Sequence, residues 1–166
     1  MKNKIAYMGL FLSFALILSY VESLVPFYFG VPGVKLGLAN LAVLLALYRY
    51  GWKEALALNL ARVFLSGFLF GNLFMVMYSL AGAAGSFLVM CLLKRAKGFS
   101  IIGVSMAGGV CHNIGQILVA YFVTRTVGVA FYLPVLLAAG LVTGLLIGLL
   151  AREAAKYMGK EFVKNL

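Results

Sequence analysis

Long apolar segments alternate with short polar or glycine-containing connections along almost the whole chain. A helix needs roughly 17–25 mainly apolar residues to cross the hydrocarbon core of a bilayer. The pattern predicts six membrane-spanning helices, at residues 5–23, 36–50, 54–70, 73–93, 99–124 and 131–151. We therefore expect an all-α integral membrane protein, a compact six-helix bundle forming one transmembrane domain over residues 1–166, with a basic tail at 152–166.

The fifth predicted helix carries a polar stripe. Ser105, Gly109, His112 and Gln116 are spaced four, three and four residues apart, so they lie on one face of a helix. Polar side chains at membrane depth usually face a bundle interior or a cavity. His112, with its neighbour Asn113, therefore indicates either a hydrogen bond between helices or part of a binding site.

The third predicted helix holds Asn59, Arg62 and Ser66 on one face. Arg62 follows Lys53 by nine residues, or about 13 Å of helix, which places it near mid-membrane. An arginine at that depth costs about 2.5–3.5 kcal/mol to insert, so it needs a partner or water. Two interpretations are open: Arg62 ties helices together through Asn59 or carbonyls, or it contacts an anionic or polar ligand.

Small residues form stripes on the fourth and sixth predicted helices, around Gly82 and at Gly140, Gly144 and Gly148. Such stripes let helices approach closely. We interpret both as packing faces.

Composition supports a membrane location, since 64% of the residues are hydrophobic and 11% are charged. With the N-terminus inside, eleven lysines and arginines fall on the cytoplasmic side and two, Lys35 and Arg125, outside. This bias predicts cytoplasmic N- and C-termini and a multi-pass protein of the cell membrane. The net charge of +10 does not indicate nucleic-acid binding, because the basic residues cluster at helix ends.

In this topology, polar residues converge in the outer half of the membrane, with Arg62 near its middle. The candidate substrate-binding residues are Glu22, Lys35, Asn40, Arg62, Tyr78, His112, Asn113 and Gln116. Residues 23–33 form the first outer loop, which contains two prolines, three aromatic residues and no charged residue. The loop is either an interfacial aromatic belt or a lid over an outward-facing cavity.

Several kinds of chemistry are excluded by the residues. All four acidic residues are glutamates, so an aspartate-rich magnesium–diphosphate site is impossible, and there is no Walker A loop. Cys91 and Cys111 fall in apolar runs without metal-ligand spacing, which predicts buried free thiols. We predict no enzymatic activity, no metal site and no resident cofactor.

Four motifs carry a resemblance to a known family. They are PGVKLGLAN at 32–40, YSLAG at 78–82, GVCHNIGQ at 109–116 and YLPVL at 132–136. In order and spacing they resemble the Gx transporter family, also named heptaprenyl diphosphate synthase component I. That family is similar in size and plan to the substrate-binding S components of energy-coupling-factor (ECF) transporters.

The resemblance implies a pocket in the outer half of the membrane, capped by the first loop, for a small vitamin-like molecule. It also implies a transmembrane coupling subunit and two ATPases as partners. Many S components dock through an A-x-x-x-A pattern on the first helix, for which the nearest equivalents here are Gly9 with Ser13 and Ala15 with Ser19.

The leading hypothesis is a substrate-binding membrane subunit for uptake of a small organic solute. The positive charges of Lys35, Arg62 and Arg125 favour a solute that carries a negative charge. The alternative is a membrane component of a quinone- or flavin-dependent electron-transfer pathway or an isoprenoid-handling pathway, and a third option is a structural subunit without a ligand.

Overall fold

The computed structural model describes residues 2–24, 37–96 and 98–158, with side chains from Lys4 onward. Within these ranges all regular structure is helical, which confirms the all-α prediction. The α-helices are α1 (Lys2–Leu24), α2 (Asn40–Tyr50), α3 (Trp52–Phe70), α4 (Leu73–Arg95), α5 (Ile101–Thr124) and α6 (Leu133–Tyr157). A 3-10 helix, Val127–Tyr132, leads into α6.

Helix ends follow local side-chain chemistry. Asn72 caps α4 by accepting a hydrogen bond from the Met75 amide at 3.0 Å, and Ser100 caps α5 by accepting from the Gly103 amide at 3.2 Å. Arg125 ends α5 in the left-handed region, at φ 50°. The described part of the predicted tail at 152–166 is a continuation of α6, which runs to Tyr157. Ala151, Ala154 and Ala155 favour this extension of the helix.

Four helical segments in the described part of the chain are long and apolar enough to cross a membrane: α1, α4, α5, and α6 with its preceding 3-10 helix. The protein is therefore a multi-pass membrane protein. The helix α2 has only 11 residues, about 16 Å, or half of a hydrocarbon core of about 30 Å. It begins at Asn40, after a turn at Leu38 and Ala39, whereas the sequence predicted a span from residue 36, which lies outside the described residues. Six complete crossings and cytoplasmic termini stay predictions.

Helix α5 lies between α4 and α6 and packs most extensively against these two. A Cβ at Gly144 would lie 2.6 Å from Met106 Cα, and Gly109 and Gly140 meet backbone to backbone. On the other side of α5, a Cβ at Gly82 would lie 3.0 Å from the His112 carbonyl oxygen. The predicted packing faces of α4 and α6 are confirmed by this close approach.

The short helix α2 is the most enclosed element. Eight of its 11 residues are buried, against α1, α3 and α6. The other helices expose large apolar side chains on one face, for example Leu10, Phe68, Leu118 and Leu146. Apolar residues on the outside are what a lipid-facing surface requires. The fold therefore places a short buried helix, with Asn40 at its start, against α1, α3 and α6.

Candidate functional site

Arg62 is the centre of a buried polar network. Its side chain is only 5% exposed, and it sits ten residues into α3. Its Nε donates to Asn59 Oδ1 at 3.0 Å and its Nη2 donates to Asn40 Oδ1 at 2.8 Å. Asn59 in turn donates through Nδ2 to the Ala83 carbonyl oxygen of α4 at 3.4 Å. Arg62 thus joins the N-terminal end of α2 to α3, and through Asn59 to α4.

Glu22 supplies the negative charge near this network. It lies near the end of α1, is 6% exposed and interacts electrostatically with Arg62. Its Oε1 accepts a hydrogen bond from the Gly37 amide at 2.5 Å. One carboxylate therefore balances the buried guanidinium and also fixes the backbone just before α2.

His112 reaches the same place from α5. A Cβ built on Gly37 would lie 3.4 Å from His112 Cδ2, and one built on Gly82 would lie 2.8 Å from His112 Cε1. The imidazole therefore lies between the turn before α2 and the backbone of α4, and it is 2% exposed. Gly37 has φ +83° and approaches both His112 and Asn40 closely, so a larger residue would be strained and crowded there.

Four of the predicted site residues are therefore brought together: Glu22, Asn40, Arg62 and His112. They come from four different helices. We call this set, with Asn59 and Gly37, the polar cluster. Its formation does not by itself assign a ligand, so the role of these residues in substrate binding remains a proposal.

The remaining predicted residues lie elsewhere or are not described. Asn113 faces α6, where its Nδ2 donates to the Leu136 carbonyl oxygen at 2.6 Å. Tyr78 packs in an apolar group with Ile117, Ala120 and Leu136. Gln116 is fully buried on α5. Lys35 and the loop at 25–36, including both prolines, lie outside the described residues.

Asn59 and Gly37 belong to the cluster but were not among the predicted binding residues. Asn59 shares a helix face with Arg62 at a spacing of three, a signal that pointed to it as a helix tie. Gly37 stands three residues before the buried start of α2, and only its positive φ reveals its role.

The two cysteines match the prediction in being free thiols but not in their burial. Cys91 and Cys111 are free, as predicted, but both are partly exposed where burial was expected. No group of three potential metal ligands occurs among the described residues.

Comparison with known proteins gives one match. The family described as heptaprenyl diphosphate synthase component I matches residues 11–154, which include every candidate site residue. The protein belongs to this family. The resemblance drawn from the four sequence motifs is thereby confirmed. No curated protein and no solved structure matches the chain. Family membership and the long apolar helices together show a membrane protein of the Gx transporter family.

Proposed function

We propose that this protein is the substrate-binding membrane subunit of an uptake system for a small, vitamin- or cofactor-like organic solute. The observation that carries the proposal is the buried Arg62, held by Asn40 and Asn59 and balanced by Glu22. Intramembrane ionisable residues are costly and commonly mark substrate pathways. A cluster with a guanidinium, a carboxylate, two amides and an imidazole supports recognition of a polar solute.

The guanidinium favours an anionic group on that solute. Arginine has five N–H donors, and the bonds to Asn40 and Asn59 use two of them. A carboxylate or phosphate on a solute would add a charge-assisted hydrogen bond to Arg62 and compete with Glu22 for it. His112, which lies between Gly37 and Gly82, would contribute a ring face and a ring nitrogen.

We propose further that the protein acts by binding and not by catalysis, in the cell membrane, with a partner subunit. The family description "component I" supports the existence of a partner. A transmembrane coupling subunit with ATPases would provide the energy for uptake, since the chain contains no Walker A loop.

A second candidate function is the handling of an isoprenoid or quinone. The name of the family refers to heptaprenyl diphosphate synthesis, and a wholly apolar groove of about 290 Å³ lies on α1 beside Leu10, Phe11 and Phe14. A prenyl chain fits such a surface in chemical character, because it needs no polar partner.

Mass spectrometry of small molecules released from gently purified protein tests the proposal. Wild type would be compared with Arg62→Gln and His112→Ala, and with Arg152→Gln as a control for loss of a positive charge at an exposed position of α6. We expect one polar, anionic molecule in wild type and in Arg152→Gln, reduced at least tenfold in the two cluster variants. A tenfold loss corresponds to about 1.4 kcal/mol of binding free energy.

Retention of the same polar molecule by Arg62→Gln and His112→Ala would contradict the proposed site. A prenyl lipid or quinone, present in all four proteins, would favour the second candidate.

A further inference from the structure

A cavity of about 180 Å³ lies at the opposite end of the bundle from Glu22. It is lined by the end of α2, the start of α3 and the end of α4, through the residues Leu47, Gly51, Trp52, Cys91, Lys94 and Arg95. In the predicted orientation it opens at the cytoplasmic face of the membrane, within the basic α2–α3 and α4–α5 connections.

Positive groups surround this cavity. Lys94 Nζ donates to the Leu47 carbonyl oxygen at 2.7 Å and lies 4.7 Å from the centre of the Tyr48 ring, so its position is fixed from two sides. An ammonium has three donors, and the Leu47 bond uses one. Arg95 is exposed beside it, and Lys53 lies 5.7 Å from the Trp52 ring centre.

The α3 helix contributes further positive character. Its N-terminal turn, at Gly51 and Trp52, lines the cavity and has no side-chain cap, so backbone amides of that turn favour an anion. The acidic residue of this turn, Glu54, accepts a hydrogen bond from Lys4 of α1 at 2.5 Å. Its charge is thereby partly offset by a lysine outside the cavity lining.

The apolar part of the lining indicates which anion fits. Leu47 forms a buried wall, and Trp52 is 47% exposed at the rim, where an indole suits the membrane–water interface. Basic cavities between transmembrane helices on the cytoplasmic side bind the head groups of anionic lipids. We propose that the cavity binds the phosphate of an anionic phospholipid, with Lys94 and Arg95 as its charged contacts and the acyl chains beside α2 and α4. This site is separate from the proposed substrate site.

Trp52 is the one tryptophan in the sequence, so its fluorescence reports on this cavity directly. The experiment reconstitutes the full chain in vesicles containing brominated phosphatidylglycerol or brominated phosphatidylcholine, because bromine quenches nearby tryptophan. We expect brominated phosphatidylglycerol to quench Trp52 at a mole fraction about 10-fold lower than brominated phosphatidylcholine, given two basic contacts near the surface.

The double variant Lys94→Gln/Arg95→Gln should reduce this preference to less than about 2-fold. Arg95→Gln alone leaves the Lys94 bond to Leu47 intact and should reduce the preference for phosphatidylglycerol to about 3-fold. This single variant replaces the double variant in the test if the double variant does not fold. The matched control is Arg152→Gln/Lys156→Gln, which removes two positive charges from α6 away from the cavity and should retain the full preference.

Equal quenching by both lipids in wild type would overturn the proposal, as would an undiminished preference in Lys94→Gln/Arg95→Gln. Equal quenching by both lipids in wild type, together with a change in Trp52 fluorescence on adding inorganic phosphate at constant ionic strength, would assign the cavity to free phosphate instead.

Discussion

At the scale of single residues, the molecule depends on how Arg62 is satisfied. A buried charge is tolerated when it is both paired and hydrogen-bonded, and removal of one partner leaves an uncompensated group. Arg62 has two amide acceptors, from Asn40 and Asn59, in addition to the charge of Glu22. The amides share one guanidinium, so their contributions should not be independent.

We expect Asn40→Ala and Asn59→Ala each to lower the free energy of unfolding by about 1–3 kcal/mol, because each leaves a buried donor unsatisfied. A double-mutant cycle, measured by denaturant unfolding in detergent micelles, should show a coupling energy of about 0.5–3 kcal/mol. Asn40→Ala combined with Ser13→Ala, an exposed position on α1, is the matched control and should be additive. Additivity of the two asparagine variants would contradict the shared network.

The contact of His112 with Gly82 gives a second prediction. A Cβ at Gly82 would lie 2.8 Å from His112 Cε1 and 3.0 Å from the His112 carbonyl oxygen. Gly82→Ala should therefore lower the free energy of unfolding by about 1–3 kcal/mol and displace the imidazole. Gly9→Ala is the control, because no atom lies within 4 Å of a Cβ there. Thermal unfolding of both variants checks this, and an equal effect of the two substitutions would refute the contact.

At the scale of helices, α5 and α6 are joined by backbone approach. Gly144→Val should lower the free energy of unfolding by at least about 1–3 kcal/mol, since its side chain would overlap Met106 Cα and force the helices apart. Leu141→Val introduces the same residue on an exposed position of α6 and should change stability by less than about 0.5 kcal/mol. Detergent-induced unfolding distinguishes the two, and a neutral Gly144→Val would contradict this packing.

The starts of α1 and α3 are joined by the ion pair between Lys4 and Glu54. Both side chains are partly exposed, at 48% and 27%, so the pair should contribute about 0.2–1 kcal/mol at low ionic strength. Glu54→Gln should remove this contribution, and the difference from wild type should shrink in ~1 M salt, where charges are screened within about 3 Å. Glu153→Gln, which breaks a pair within α6 only, is the control. A salt-independent loss in Glu54→Gln would contradict an ion-pair effect.

At the scale of the whole molecule, the predicted orientation places Lys53 at the cytoplasmic face and Thr126 outside. Single cysteines at these positions, in a chain with Cys91→Ala and Cys111→Ala, can be labelled on intact cells with a membrane-impermeant maleimide. We expect labelling of Thr126→Cys only, and labelling of Lys53→Cys after the cells are broken. The reverse pattern would contradict the assignment from lysine and arginine positions.

Much of the architecture could be predicted from the sequence, because lipid contact imposes a simple pattern. Four long apolar helices and the close packing of Gly140 and Gly144 follow from local composition and spacing. The start of α2, predicted at residue 36 and found at Asn40, could not be predicted equally well. Its residues are apolar because they are buried in protein, and an apolar run of that kind looks the same as one in contact with lipid.

The polar cluster was only partly predictable. Periodicity places Arg62 and Asn59 on one face, and topology brings Asn40 and His112 to similar depth. Which groups bond depends on helix rotation and on the turn at Gly37, neither of which is encoded by spacing along one helix. For the same reason Asn113, adjacent to His112, faces α6 instead of Arg62.

The shortness of α2 has an electrical consequence. A helix carries a partial positive charge of about half a unit at its N-terminus. The helix α2 begins at Asn40, which accepts a hydrogen bond from Arg62. The whole helix is only about 16 Å long. In the predicted six-span arrangement, that partial charge would lie within the bilayer instead of at its surface, next to the full positive charge of Arg62. Glu22 offsets the charge of the guanidinium, and the partial charge of the helix end adds to the positive side. An anion that reaches this depth gains attraction from the backbone as well as from Arg62, whereas a cation is repelled by both.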